Sequence, residues 1–473
     1  MAPAALLPQP NGHSVVTNGK TIKQQQQQSQ QPHLNSADII SLEHEYGAHN
    51  YHPLPVVFDR ALGAKVWDPE GREYIDMLSA YSAVNQGHCH PRIVAALTQQ
   101  ASRLTLSSRA FYNSIFGVFA RRVTELFGYD MVLPMNTGAE AVETAVKLAR
   151  KWGYEKKGIP DGEAIVLSVA GNFHGRTLGV ISMSTDPESR THFGPYLSGV
   201  GPVYTDASGA PRTIRYGHAE DLRAALAVHG ARVAGFLVEP IQGEAGIIVP
   251  PESYLKEVRA LCDAHNVLLI CDEIQTGLSR TGTLLAHTFD GIRADVVLLG
   301  KALSGGVYPV SAVLASRDVM LTIKPGEHGS TYGGSPLACA VAMAALDVLL
   351  DEDLATRAAV LGERFRKGVR EIKSELVKEV RGRGLLNAVV IDEGKSVRGR
   401  TAWQLCLLLK SRGVLAKPTH VNTIRFAPPL VIAEEDLDRA IRILKECLED
   451  LDKLDEIPGE VESEKGFKDE ISN

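Results

Sequence analysis

The amino-acid sequence predicts an α/β protein: a large domain around a mostly parallel central sheet, with a smaller α+β domain beside it. Three observations carry that reading. Short apolar runs recur at 164–169, 233–239, 267–272, 295–300 and 310–315, too short for buried helices and bounded by turn residues. Helical patterns separate them, as after Glu252, where Tyr254, Leu255, Val258 and Leu261 share one face. Strands alternating with helices in this way make a mostly parallel sheet. Past Gly334, an apolar-rich helix over 338–350 leads into a last set of helices and short strands, including 385–391 and 423–426. These form the second domain together with the N-terminal segment.

Composition bounds the rest. The 473 residues leave room for two or three domains and a core ample for an enzyme. The net charge is −6, but from Asp452 onward eight acids face three bases. The body is therefore nearly neutral, which argues against a nucleic-acid surface. No apolar run approaches the roughly 18 residues that span a bilayer. Six cysteines (Cys89, Cys262, Cys271, Cys339, Cys406, Cys447) show no C-x-x-C spacing. That suits a reducing compartment rather than a disulfide framework or a zinc site. Cys89 lies between His88 and His90, yet adjacent residues on a turn seldom converge on one ion, and no metal is expected.

In chain order, residues 1–36 carry the glutamine tract Gln24–Gln28 with Gln30 and Gln31. So polar a stretch cannot offset its chain entropy, and disorder is expected. No arginine precedes Arg60, unlike an Arg-rich targeting segment, so the expected location is the cytosol. Residues 37–90 form an N-terminal segment. In it Tyr46–Pro55, dense in aromatics, histidine and proline, should be ordered but irregular. Val57–Phe58 and Lys65–Asp68 read as short strands of a meander, with a turn at Asp68–Gly71. Residues 91–337 make the large domain, opening on a helix near Arg92. Within it Thr205–Arg212 looks like an extra surface hairpin or loop without chemistry. Residues 338–451 make the small C-terminal domain, and 452–473 an acidic solvated extension.

Two of the apolar runs end on charge. Val296–Leu299 leads through Gly300 to Lys301, whose ammonium is costly to bury. The cost vanishes if the amine is deprotonated or condensed with an aldehyde; the plain alternative is a side chain snorkelling to water. Twenty-nine residues upstream, Val267–Cys271 ends on Asp272. That distance fits one strand–helix–strand unit, and ligands in such sheets gather at the carboxyl ends of the strands. An amine and an acid on one rim can face opposite edges of a heterocycle. Pyridoxal phosphate needs that arrangement, a lysine for its aldehyde and a carboxylate for its ring nitrogen. A third piece is Thr137, a candidate N-cap with Glu140 three residues on. A helix opening there offers backbone N–H groups and roughly half a positive charge to an anion, and Gly138 allows close approach.

From Asp272–Glu273 to Lys301 the chain resembles the class III, ω-type aminotransferases, and the resemblance covers roughly residues 40–450. It implies the pyridoxal-phosphate-dependent transferase fold of type I and pyridoxal 5'-phosphate as cofactor. It also implies a homodimer or higher homo-oligomer with sites shared across the interface. Residue by residue, it implies a phosphate at Gly138 and Ala139 and a ring stacked on Phe173. The usual tryptophan beside that aromatic is His174 here. Asp272 would face the ring nitrogen, Gln275 the phenolic oxygen, and Ser330 and Thr331 the phosphate of the neighbouring subunit. Lys301 would bond the cofactor aldehyde and carry the proton. Arg425 would grip the carboxylate of an oxo acid by a fork, and Glu244 would mask it during the other half-reaction. Tyr46 and Arg176 would hold the donor's α-carboxylate, and Tyr81 would line the same pocket.

The segments Tyr46–Pro55 and Tyr81–Pro91 are more similar to ornithine-using members of the family than to acetylornithine- or 4-aminobutyrate-using ones. This implies ping-pong transfer of the δ-amine of L-ornithine to 2-oxoglutarate. Glutamate and glutamate 5-semialdehyde result, and the semialdehyde cyclises to pyrroline-5-carboxylate. Three further readings stand beside it: an acetylornithine or 4-aminobutyrate aminotransferase, a binding protein that keeps fold and cofactor without turnover, and a Rossmann dehydrogenase. The last needs G-x-G-x-x-G after a first strand, which the sequence lacks in that context.

Overall fold

The computed structural model describes residues 34–420 and 422–460. The glutamine tract and residues 461–473 lie outside the described residues, and the expectation of disorder there with them.

A seven-stranded sheet forms the centre. Its spatial order is Met131–Met135, Ser311–Ala315, Val296–Leu299, Leu268–Asp272, Val233–Val238, Ile165–Leu167, Val200–Gly201. All neighbours are parallel except at Ser311–Ala315, which runs against both of its partners. The α/β class and the five expected strands are observed. Two strands are additional: Met131–Met135 holds Pro134, and Val200–Gly201 is two residues long, so neither shows a strand-length apolar run.

The sheet is apolar on both faces because helices cover both. Leu237, Leu268, Ile270, Val296 and Leu298 point to one side, toward Ala141, Ala145 and Leu148 of the helix Gly138–Trp152. Phe236, Val238, Leu269, Cys271, Val297 and Leu299 point to the other, into a core shared with the helices Tyr254–Ala264 and Pro336–Asp351. The register pairs Asp272 with Leu298. The two strands therefore run out together, and Lys301 comes three residues past that pair.

The second part is built from both ends of the chain. The meander Arg60–Leu62, Lys65–Trp67, Glu73–Asp76 is closed by Val414–Leu415, parallel to its last strand. An antiparallel sheet of Val377–Arg383, Leu386–Ile391, Thr423–Phe426 and Lys417–Thr419 stands beside it. Residues 203–213 form the expected surface hairpin, Val203–Thr205 against Pro211–Thr213.

Three local features differ from expectation. A capped helix, Ser36–Tyr46, already begins at the end of the tail, with Asn35 Oδ1 accepting the N–H of Asp38. Residues 452–460 are not a solvated extension. Asp452 accepts from Ser396 Oγ at 2.5 Å and from the N–H of Val397 at 3.1 Å, Arg400 donates to the carbonyls of Leu454 and Asp455, and Ile457 is buried. The acids there serve as acceptors for the neighbouring loop, which the charge count does not reveal.

The third is the stretch Ser79–Ser82. Four successive non-glycine residues have φ of 49°, 47°, 58° and 71°, one turn of left-handed backbone. Each such residue costs about 1–2 kcal/mol through Cβ crowding, so surrounding contacts must hold the turn in place.

Candidate active site

The carboxyl ends of Leu268–Asp272 and Val296–Leu299 open on a cavity of about 210 Å³. Gly138, Ala139, Phe173, Asp272, Gln275 and Lys301 all line it. The chain elements that deliver them meet for simple reasons. The capping box forms as the sequence suggests: Thr137 Oγ1 accepts from the N–H of Glu140, and Glu140 Oε2 accepts from that of Thr137 at 2.7 Å. The cap takes the N–H of Glu140, so the N–H groups of Gly138 and Ala139, which have no acceptor within the helix, are placed for an anion. A Cβ on Gly138 would come within 3.1 Å of Ile274, so glycine brings the helix start onto the loop after Asp272.

Asp272 is buried, at 4% exposure. One oxygen accepts the N–H of Ile274 at 3.1 Å, and the other lies 2.7 Å from Nδ1 of His174. Burial opposes a charge on His174, but the bond to Asp272 together with the charges of Asp272 and Glu239 outweighs it and raises the imidazole above its ordinary value. Sequence reading places His174 in the wall of the site; the structure makes it the partner that orients the acid. Glu239 is also brought to the cavity. It accepts the N–H groups of Phe173 and Gly243, both at 3.0 Å, and burial pushes its carboxyl up to about 7. Only its place at the end of the wholly buried strand Val233–Val238, by the same rim rule that finds Asp272, could have flagged it.

Lys301 opens a short 3₁₀ turn with φ of 43°. Desolvation draws its ammonium below the usual lysine value, against the opposing charges of Glu244, Asp272 and Glu239. A strained, desolvated lysine at a cavity is suited to act as a nucleophile and base.

Beyond the cavity, Glu244 Oε1 lies 2.6 Å from Nη1 of Arg425 and 3.2 Å from Nε2 of Gln275. Burial raises the Glu244 carboxyl, but Arg425, with Lys301 and Gln275, more than offsets this and holds it below the ordinary value. Gln275 fits because residue 243 is glycine; a Cβ there would stand 2.2 Å from its Oε1. The guanidinium of Arg425 also sits 4.6 Å from the ring centre of Tyr81, within cation–π range. Arg176 is exposed, with its guanidinium 5.7 Å from the Phe173 ring. Tyr46 ends its helix 77% exposed and is not among the cavity residues. Ser330 and Thr331 are not among them either. Ser330 Oγ accepts from Asn136 Nδ2 at 2.8 Å, beside the helix start, and Thr331 is exposed.

The cavity is flat-walled on Phe173, acidic at one end and basic at another, and it touches a helix N-terminus. Pyridoxal phosphate fits those residues: Asp272 for its ring nitrogen, Phe173 for its face, Gly138 and Ala139 for its phosphate and Lys301 for its aldehyde. Fold and site together define a pyridoxal-phosphate-dependent transferase. The chain belongs to the class-III aminotransferases, whose family model matches residues 46–448. It is 65% identical over 425 residues to the ornithine aminotransferase of Schizosaccharomyces pombe, covering 90% of this chain and 96% of that one. It is 56% identical to a mitochondrial ornithine aminotransferase of Arabidopsis thaliana, covering 90% and 87%. Among solved structures, an ornithine aminotransferase of Toxoplasma gondii with partial pyridoxal phosphate at its active site matches with a TM-score of 0.83. Identity to it is 47%, with 89% of this chain and 96% of that chain covered. An acetylornithine aminotransferase of Elizabethkingia anophelis matches at 0.78 and 51% identity, covering 88% and 100%.

Proposed function

We propose that this chain transfers the δ-amine of L-ornithine to 2-oxoglutarate, giving glutamate 5-semialdehyde and glutamate. The observation that carries the reading is the Glu244–Arg425 pair beside Lys301. A donor with a terminal amine and an acceptor with an α-oxo carboxylate make opposite demands on one pocket. A guanidinium that a carboxylate can cover and uncover answers both.

When bound, the cofactor supplies an aldehyde to take the amine and a conjugated ring to accept an electron pair. The protein's own groups do the rest. Asp272, held by His174, keeps a proton on the ring nitrogen by the opposite-charge effect, worth about 1–3 pKa units. Lys301 Nζ, made less basic by desolvation, would take the proton from the carbon bearing the donor amine and return it beyond the amine nitrogen, two atoms away. While Glu244 covers Arg425, the donor's α-carboxylate is directed to Tyr46 and Arg176, and Tyr81 bounds the pocket. When the oxo acid enters, its carboxylate displaces Glu244 and takes the guanidinium as a fork.

We also infer a two-fold dimer in which Ser330 and Thr331 reach the partner's phosphate site. The exposure of Thr331, with Phe111 75% and Tyr112 100% exposed, supports a covered face. No helix among the described residues is long and apolar enough to cross a membrane. All six cysteines are free, which supports a reducing compartment. We favour the cytosol, with the mitochondrial plant relative marking the alternative and cell fractionation the test.

Purified holoenzyme should lose its visible aldehyde absorbance on adding ornithine and regain it on adding 2-oxoglutarate. The second reading, acetylornithine as donor, is favoured by the 51% identity to the Elizabethkingia enzyme. Turnover of acetylornithine or 4-aminobutyrate with none of ornithine would replace the first reading.

A further inference from the structure

Arg280 is a wholly buried arginine with no carboxylate among its hydrogen-bond partners. Its five bonds end on neutral acceptors from distant parts of the chain. Nε and Nη2 donate to Asn85 Oδ1 at 3.1 and 2.6 Å, and Nη2 to Ser79 Oγ at 3.1 Å. Nη1 donates to the carbonyls of Leu385 at 3.0 Å and Pro428 at 2.6 Å. A guanidinium has five N–H donors, so its capacity is fully used. For packing alone this is a poor solution, since the buried charge has no carboxylate within hydrogen-bond reach and the charge of Asp76 acts on it only from a distance.

Its partners show what it holds. Ser79 opens the left-handed turn, and its own hydroxyl donates to the carbonyl of Ala427 at 2.6 Å. Asp76 accepts the N–H groups of Leu78 and Ser79 at 2.8 and 2.9 Å, with its other oxygen 2.8 Å from His88 Nε2. The turn's third residue is Tyr81, whose ring meets Arg425, and Ala427 and Pro428 lie two and three residues past Arg425. One side chain thus ties together both backbones that bring Tyr81 and Arg425 face to face.

We propose that Arg280 is a positioning residue: it holds the left-handed Ser79–Ser82 turn against the Arg425 strand and so fixes where Tyr81 meets the amino donor. The inference rests on the reading of Tyr81 as part of the donor pocket. Nothing about it requires Arg280 to touch substrate. The turn is strained on its own, and none of the residues bonded to Arg280 lines the cavity.

The test uses holoenzyme with Ser79→Ala, which removes both bonds of the Ser79 hydroxyl, to Arg280 and to Ala427, and leaves the guanidinium its other four, and with Arg280→Lys, which keeps the charge but not the fork. Both should retain the visible absorbance of bound cofactor. Both should raise KM for ornithine about tenfold, with a much smaller change in KM for 2-oxoglutarate. Adding Ala80→Gly to Ser79→Ala, which removes the Cβ crowding of the turn, should recover part of that loss. An unchanged ornithine KM in the folded variant would overturn the proposal, as would an equal rise for both substrates with no recovery by glycine. Should Ser79→Ala fail to fold, Arg280→Lys decides by the same split. Failure of the functional reading is separate, because it shows in the parent enzyme as no turnover of ornithine.

Discussion

Two buried arginines meet one left-handed turn, Arg425 at the ring of Tyr81 and Arg280 at the hydroxyl of Ser79, and they are held in opposite ways. Arg425 is 4% exposed and bonds a side-chain carboxylate, Glu244 at 2.6 Å, which also accepts from the cavity residue Gln275. Arg280 bonds only carbonyl, amide and hydroxyl oxygens fixed in the fold. A carboxylate on a side chain can be displaced by another carboxylate of like geometry, so Arg425 is built to change partners. Backbone carbonyls cannot leave, so Arg280 is built to stay. Burial of a charge is alike in the two cases; mobility of the partner decides whether the charge is a switch or a pin.

The harshest way to break the comparison is to remove what both arginines serve. Lys301→Ala should lower turnover of ornithine by at least about 10²–10⁴-fold, since on the proposed function it deletes the proton carrier as well as the nucleophile, while the folded protein keeps the parent's far-ultraviolet circular dichroism. Asp272→Asn comes next. It keeps the shape but loses the charge that protonates the ring, and turnover should fall about 10–10³-fold, matching 1–3 pKa units. Cofactor absorbance should persist. A variant that turned over normally would remove Asp272 from the chemistry and leave it a structural partner of His174.

Glu244→Gln sharpens the contrast itself. Uncovered, Arg425 should capture carboxylates in both half-reactions. The first half-reaction with ornithine should slow about tenfold, the scale of one charge-assisted hydrogen bond. KM for 2-oxoglutarate should fall, and glutamate should improve as a donor relative to ornithine. Stopped-flow measurement of the two half-reactions reads each effect separately. A uniform slowing of both would mean the pair is a fixed brace, like Arg280, and not a switch.

The comparison also marks what the sequence discloses. Lys301 and Asp272 are legible because apolar runs aim them at one rim, and the Thr137–Glu140 cap because its spacing is local. The mostly parallel sheet follows from alternation alone. Arg280 is not legible: its partners lie 105 to 201 residues away, and nothing nearby marks it as buried. Ser79–Ser82 escapes for a related reason, because residues of ordinary propensity adopt left-handed backbone only under tertiary constraint. His174 is visible as a departure from a family pattern, but its 2.7 Å bond to Asp272 is a matter of three dimensions. The tail at 452–460 reads as solvated because charge was counted, whereas the structure uses those acids as acceptors.

The mildest effect concerns Glu239, the carboxyl that accepts two backbone N–H groups behind Phe173. Its ordinary value is 4.5, and burial raises it to about 7. Between those pH values the folded chain keeps a proton there that the unfolded chain has released. Folded stability from this group is therefore fully present below about pH 4.5 and is lost as pH rises to about 7. Glu239→Gln should remove that part of the pH dependence, so that the variant's melting temperature changes less between pH 5 and 7.5 than the parent's. One N–H, of Phe173 or Gly243, loses its acceptor, at a cost of about 1–3 kcal/mol that should appear equally at every pH. A parallel pair of curves would mean that Glu239 is ionised throughout, its charge sustained by His174, and that the cavity holds two carboxylates rather than one.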